Sequence, residues 1–183
     1  MRKTVHLIRH GQSTFNAAFE ATRVDPLHFD ARLTPLGHEQ VAAARQRLAG
    51  AEYDLVVTSP FTRAIETTLG IFGESRSILV EALHREWLWS SCDVGRSPSL
   101  LTDEFPTLSF AHLDDPWWHD AEKKDALGFA IEPEAVFMAR LAAFRAWLAS
   151  RPEQRIAVVG HGTFFYMLTG QQLANCEMLA WEP

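Results

Sequence analysis

The sequence is poor in cysteine: Cys92 and Cys176 are the two in 183 residues. They form no CxxC pair, which excludes a disulfide framework and a thiolate metal cluster and fits a reducing compartment. Long apolar runs are missing, and no segment approaches the ~18 consecutive apolar residues that span a bilayer. The basic start Met1-Arg2-Lys3 leads into an apolar stretch too short for a secretion signal, holding His6 and ending at Arg9. Positive charge is also short, with 17 Lys and Arg against 23 Asp and Glu and a formal net charge of −6. Nucleic-acid and anionic-membrane binders need a broad positive face, so neither partner is expected. A small anion held by a few convergent cations is still allowed. Repeats and low-complexity tracts are absent. What is present is near the globular average, 47% hydrophobic and 22% charged, at a length suited to one domain over residues 1–183. A cytoplasmic protein is expected, of open oligomeric state.

The chain alternates strand and helix patterns. Residues 4–8, 54–57 and 155–159 are short, nearly continuous apolar runs, and 78–80 is a weaker one. Thr34-Pro35 starts a helix as cap and first-turn proline, with Gly37, Val41, Ala44 and Leu48 on one face and Gly50 as its stop. Ser59-Pro60 repeats that start and predicts a helix to about Phe72. Pro133 opens the strongest helix, striped by Phe137, Leu141, Phe144 and Leu148 and closed by Pro152. A helical stretch follows His161 as far as Gly170, and residues 175–182 suit an edge strand. Between 84 and 132 the prolines at 98, 106 and 116 break every periodicity. That span is too long for a plain connection, so a partly helical insertion or lid is expected after the third strand. Strands apolar throughout, alternating with helices, predict an α/β fold: a three-layer α/β/α sandwich on a mostly parallel sheet. Ligands of such sheets gather beyond the carboxyl ends of the strands.

Those ends share one chemistry. The first strand runs into Arg9-His10, the second through Thr58-Ser59 into a helix carrying Arg63 in its first turn, and the last into His161. Two guanidinium groups and two imidazoles beside helix starts suit a tetrahedral dianion. Arg63 would oppose its helix dipole unless an anion stood nearby. A neutral imidazole can attack phosphorus without first losing a proton, so either histidine can be nucleophile and the other a clamp, and an acid must serve the leaving group. His6 and His10, four apart on a strand, lie about 13 Å from each other, too far to share a metal. His28, His38, His84, His112 and His119 lack ligand spacing and read mostly as surface residues. Cys92 has no adjacent base, and Trp87, Trp89, Trp117 and Trp118 suit a pocket or a core equally.

Arg9-His10-Gly11 with Asn16, Ser59-Pro60-Phe61-Thr62-Arg63-Ala64 with Thr67, and Val158-Val159-Gly160-His161-Gly162 resemble, in order and spacing, the signature blocks of the histidine phosphatase superfamily, also called the phosphoglycerate mutase-like family. The resemblance spans nearly the whole chain. It implies that His10 becomes phosphohistidine, that Arg9, Arg63 and His161 hold the phosphoryl oxygens, and that Asn16, Gly11 and Gly162 complete the substrate-binding positions. The implied proton donor follows the third strand, where Glu86 stands, with Asp93 in reserve. No metal and no organic cofactor are implied, and the expected partner is a small phosphorylated substrate. Gln12 stands where the family often has Glu. Trp87-Leu88-Trp89 and Cys92-Asp93-Val94-Gly95 replace the residues that usually follow the acid. The chain is short for a mutase, so hydrolysis of a small phosphate monoester is expected. The alternatives are a phosphoglycerate mutase-like phosphotransferase and a non-catalytic phospholigand-binding module.

Overall fold

A computed structural model describes residues 3–74 and 77–182. Its strands are β1 (Thr4–Arg9), β2 (Leu55–Thr58), β3 (Ile78–Val80), β4 (Arg155–Gly160) and β5 (Met178–Trp181), in the order β3-β2-β4-β1-β5. The first four run parallel, and β5 pairs antiparallel with β1 at the edge. The helices are α1 (Thr14–Thr22), α2 (Pro35–Arg47), α3 (Thr62–Phe72), α4 (Pro98–Glu104), α5 (Glu134–Ser150) and α6 (Gly162–Thr169). This is the α/β architecture that the strand pattern predicts. Among the described residues no helix is long and apolar enough to cross a membrane.

Alternation along each strand makes the layers. Val5, Leu7, Val57, Ile156 and Val158 pack with Phe137, Leu141, Phe144 and Leu148 of α5 and with Phe164 and Phe165 of α6. Ile8, Val56, Ala157 and Val159 pack with Val41 and Ala44 of α2 and Ala64 and Ile71 of α3. Both faces are covered, which is why these strands carry no polar alternation. α2 and α3 approach closely: a Cβ on Gly70 would lie 2.3 Å from Val41 Cγ1.

Three features differ from the sequence reading. α3 begins at Thr62 and not at Ser59-Pro60, with Phe61 as its N-cap and no side-chain cap from that residue. The Asp30 carboxylate caps it from a distant loop, accepting the Thr62 N–H at 2.9 Å, and Ser59 is left to bond His161. α1 has no counterpart in the periodicity because Phe15 is its one buried residue. It starts on a capping box in which Ser13 Oγ accepts Asn16 N–H (3.2 Å) and Asn16 Oδ1 accepts Ser13 N–H (3.1 Å), with Asn where Glu or Gln is usual. His84 departs from the surface reading given to its group. It is fully buried, donates from Nε2 to the Val159 carbonyl at 3.0 Å, and packs on Phe144. Burial lowers its pKa to about 4.

Residues 84–132 contain a 3₁₀ turn (Ser91–Asp93) and α4 in otherwise irregular chain. Leu101, Phe105, Leu108, Phe110 and Trp117 bury against Phe61, Ile65 and Val80, so the segment is docked on α3 through an apolar cluster of its own. Trp117 belongs to that cluster, and its indole N–H donates to the Arg96 carbonyl at 2.8 Å.

The closeness of α2 and α3 sets a stability test. Gly70→Ala should cost about 1–2 kcal/mol, the overpacking penalty less the gain in helix propensity. In a Val41→Ala background the same change should cost little. Urea unfolding of the four proteins checks this, and equal costs in both backgrounds would break the packing argument.

Candidate active site

Parallel pairing of β1 with β4 matches Arg9 with Gly160, and the His10 N–H donates to the Gly160 carbonyl at 3.0 Å. The residues that leave the two strands, His10 and His161, therefore meet, with ring centroids 5.3 Å apart. β2 lies on the other flank of β4 and delivers Ser59 and then, in the first turn of α3, Arg63. The loop after β3 delivers Glu86. A cavity of about 510 Å³ opens at these strand ends, and Arg9, His10, Asn16, Arg63, Glu86 and Gly162 are in its wall.

The His10 ring is fixed by its surroundings. Nδ1 lies 2.7 Å from the Gly11 carbonyl. A carbonyl only accepts, so Nδ1 carries the proton and Nε2 keeps a lone pair. Arg63 Nε–H donates to that Nε2 at 3.3 Å. Burial, then the charges of Arg63 and Arg9, hold His10 well below the ordinary imidazole pKa, outweighing the Gly11 hydrogen bond. Asn175 Nδ2 donates to the His10 carbonyl at 2.9 Å, and the Gly11 N–H goes to Thr67 Oγ1 at 3.0 Å. Gly11 thus stands behind His10, outside the cavity wall, with both polar groups committed to the protein.

Arg63 is buried and held on three sides. Nη1 donates to the Cys92 carbonyl at 2.6 Å and Nη2 to Asp93 Oδ1 at 3.0 Å, and the Phe61 ring lies 4.4 Å from its Cζ. Asp93 is the anion that a cation in a first helical turn requires. Burial raises the Asp93 carboxyl to about 7 while Arg63 pulls the other way. Arg9 donates from Nη1 to the Leu173 carbonyl at 2.8 Å. Its guanidinium lies over Gly162, where a Cβ would come within 3.1 Å of Nε. Asn16 lines the cavity and also caps α1.

His161 sits deeper than the other predicted residues: it is fully buried, with Nε2 2.8 Å from Ser59 Oγ and its ring edge-on to Phe61. Burial and then Arg63 keep its pKa well below the usual value. Buried polar atoms in folded proteins are almost always paired. Arg9 Nε and His161 Nδ1 are buried without a hydrogen-bond partner among the described residues.

Glu86 crosses to the start of α6, accepting N–H from Thr163, Phe164 and Trp87 at 2.9 Å each. Its loop is tied from behind by Arg140 of α5, which donates to the carbonyls of Leu83 (2.9 Å), Arg85 (2.7 Å) and Glu86 (3.3 Å). Glu132 grips the same guanidinium through both oxygens, at 3.1 and 2.7 Å. The sequence reading missed this pair, and its signal is an arginine on the apolar face marked by Phe137, Leu141 and Phe144. Of the tryptophans weighed for the pocket, Trp87 and Trp89 line it and Trp117 and Trp118 do not. Cys92 reaches the wall, but burial pushes its thiol far up. Among the described residues, no group of three His, Cys, Asp or Glu side chains is placed to hold a metal ion.

The geometry has parallels in known proteins. A phosphoglycerate mutase-like protein of Arabidopsis thaliana is 28% identical over 214 residues, covering 95% of this chain and 76% of the relative. Among solved structures, a candidate α-ribazole-5′-phosphate phosphatase of Escherichia coli superposes with a TM-score of 0.69 at 20% identity, over 97% of this chain and 89% of the other. A mycobacterial glucosyl-3-phosphoglycerate phosphatase gives 0.61 at 21% identity, over 97% and 92%. The likeness to these structures is one of fold. The family model described as histidine phosphatase superfamily, branch 1, matches residues 5–181, and the chain belongs to that superfamily.

Proposed function

We propose that this protein hydrolyses small phosphate monoesters through a phosphohistidine on His10. The observation that carries the reading is the unprotonated Nε2 of His10, its ring proton held on Nδ1 by the Gly11 carbonyl and its lone pair met, in the free protein, by the Arg63 Nε–H at 3.3 Å, a donor that the phosphoryl oxygens would take over. That the solved relatives named above are phosphatases agrees in class.

The Nε2 lone pair attacks phosphorus, the bond to the ester oxygen breaks, and its electron pair leaves with the alkoxide, which takes a proton from Glu86, a carboxylate that is first protonated from solvent as the dianionic ester binds beside it. Phosphorylated on Nε2 and protonated on Nδ1, the imidazole is cationic, and the Gly11 carbonyl stabilises it. Arg9 and Arg63 neutralise the phosphoryl oxygens. His161 lies behind the cavity wall beside His10, and with Nε2 accepting the Ser59 hydroxyl its unpaired Nδ1 would carry a proton to offer the phosphoryl group once phosphorus is on His10. Water then gives a proton back to Glu86 and attacks phosphorus, the P–N bond breaks, and inorganic phosphate leaves with His10 neutral again. The proposed route uses side chains, the Gly11 carbonyl and water, and it assigns no role to a metal.

One observation favours a second donor: Asp93 lines the same cavity, and burial raises its carboxyl to about 7 against the pull of Arg63. Leaving-group dependence separates the two carboxyls. Removing the acid should slow an alkyl phosphate by about 10²–10⁴-fold and 4-nitrophenyl phosphate far less. Glu86→Gln is expected to show that split, and the split appearing in Asp93→Asn alone would transfer the role.

His10→Ala should lose at least about 10³-fold in turnover and no longer take up ³²P from substrate, whereas retained label would displace His10 as nucleophile. Label recovered in an organic product in place of inorganic phosphate would mark a phosphotransferase. Treatment with EDTA should leave the rate unchanged, and a large loss would point to a metal-dependent reaction.

Protonation gives an independent check. His10 is lowered by burial and two cations, so its imidazole should stay neutral in the free protein as pH falls through 6.5, the ordinary value for histidine. Nitrogen chemical shifts of labelled histidine report this directly. Titration of His10 near 6.5 would remove the basis for a ready nucleophile.

A further inference from the structure

The outer half of the cavity differs in chemistry from the inner half. Inside stand Arg9, Arg63 and His10, around the phosphoryl site proposed above. Outside stand Trp87, Trp89, Ser90, Tyr166 and Gln172, which are aromatic or neutral and polar. No further lysine or arginine lines the cavity among the described residues, and its other charged groups are the carboxyls Glu86 and Asp93.

Trp89 is 57% exposed and Tyr166 45%. The Trp89 indole is not loose. It packs edge-on to Trp87 at 5.1 Å, and Trp87 is stacked on the buried ring of Phe137 at 4.5 Å and bonded from its indole N–H to the Glu132 carbonyl at 2.8 Å. A large apolar face is thus held in water at the mouth of the site on a rigid support. Such a face is a stacking platform for a flat ring, and hydroxyl and amide groups beside it serve neutral polar substituents. A volume of about 510 Å³ falls in the range that encloses a ligand well beyond a bare phosphate. A second anion on the ligand would find both arginines committed to the phosphoryl group and no other lysine or arginine in the described wall to meet it.

The geometry points to a phosphate monoester of an uncharged alcohol bearing a ring, with the ring on Trp89 and no second anionic group. The inference rests on the phosphatase reading for the phosphate half, and on the outer wall alone for the organic half. A carboxylated phosphoester is accordingly a poor substrate.

The test pairs 4-methylphenyl phosphate with 4-carboxyphenyl phosphate, similar in size and different in charge. The carboxylated phenol is the better leaving group, so intrinsic reactivity works against the expected order. Release of inorganic phosphate should favour the methyl compound at least tenfold in kcat/KM. Trp89→Ala should raise KM for the methyl compound about tenfold, the scale of a lost stacking contact. Its effect on methyl phosphate, which has no ring, should be several-fold smaller, and Trp89→Phe should restore most of the loss. Calorimetric titration of both aryl esters into His10→Ala reads the same preference without turnover. A preference for the carboxylated ester, in rate or in binding, overturns the inference, as does an equal loss for ring and methyl esters in Trp89→Ala. Absence of phosphate release from every ester, with the binding preference intact, would instead sink the phosphatase reading and leave the ligand class standing.

Discussion

The site depends on one backbone pairing, that of β1 with β4. Their parallel register matches Arg9 with Gly160 and ties His10 to Gly160 by a main-chain hydrogen bond. In a parallel pair both chains leave the sheet at the same end, so residues that follow two strands remote in sequence become neighbours. A slip of one residue would turn every inward side chain outward, but here the apolar sets on the two faces differ in composition and resist it. Val158 must meet the phenylalanines of α5 and α6, while Ala157 fits beneath α2 and α3. The register that the core fixes is the register that the chemistry uses.

Charge is managed locally, against the sign of the whole molecule. A chain of net charge −6 places a buried Arg63 and a half-buried Arg9 beside two buried histidines, and the consequence is that both imidazoles are held toward the neutral form. Burial alone disfavours the imidazolium, and adjacent guanidinium groups disfavour it further. A protonated His10 would have no lone pair to offer, so the cations that would hold a phosphoryl group also keep the proposed nucleophile ready. Asp93 closes the account by giving Arg63 a partner at 3.0 Å in a helix turn that repels cations. The same carboxyl is buried, and it is protonated more easily than an exposed one.

Rigidity comes from a second buried ion pair. Arg140 and Glu132 lie between α5 and the irregular segment, and the guanidinium spends its remaining donors on the carbonyls of Leu83, Arg85 and Glu86. Glu132 also accepts Arg85 Nη2 at 2.9 Å, so its removal would leave two cations without their carboxylate, and breaking a buried pair typically costs about 3–5 kcal/mol. The loop has little regular structure and needs an anchor of this kind. The other end of Glu86 is held by the amide groups that open α6, so the carboxylate is fixed from both directions.

The strands, the helices α2, α5 and α6, and the cationic chemistry of the strand ends were legible from local pattern, because each depends on residues within one or two turns of one another. Thr34-Pro35 caps a helix wherever it stands, and the stripe from Phe137 to Leu148 needs only a core to face. Arg9, His10, Arg63 and His161 could be named from sequence for the same reason, each sitting in a short, distinctive block, whereas Glu86 could be named only by its place after the third strand, with Asp93 in reserve. The start of α3 could not be read, since its cap is Asp30, whose carboxylate reaches it only in the folded chain. Nor could the burial of His84, the depth of His161, the tie from Arg140 or the aromatic outer wall of the cavity. Sequence alone determined which side chains are available and on which kind of element each is carried. Tertiary structure decided which nitrogen of His10 faces Arg63 without a proton of its own, what balances Arg63, and what faces the far side of the cavity, because these follow from distances between segments that local propensity does not encode.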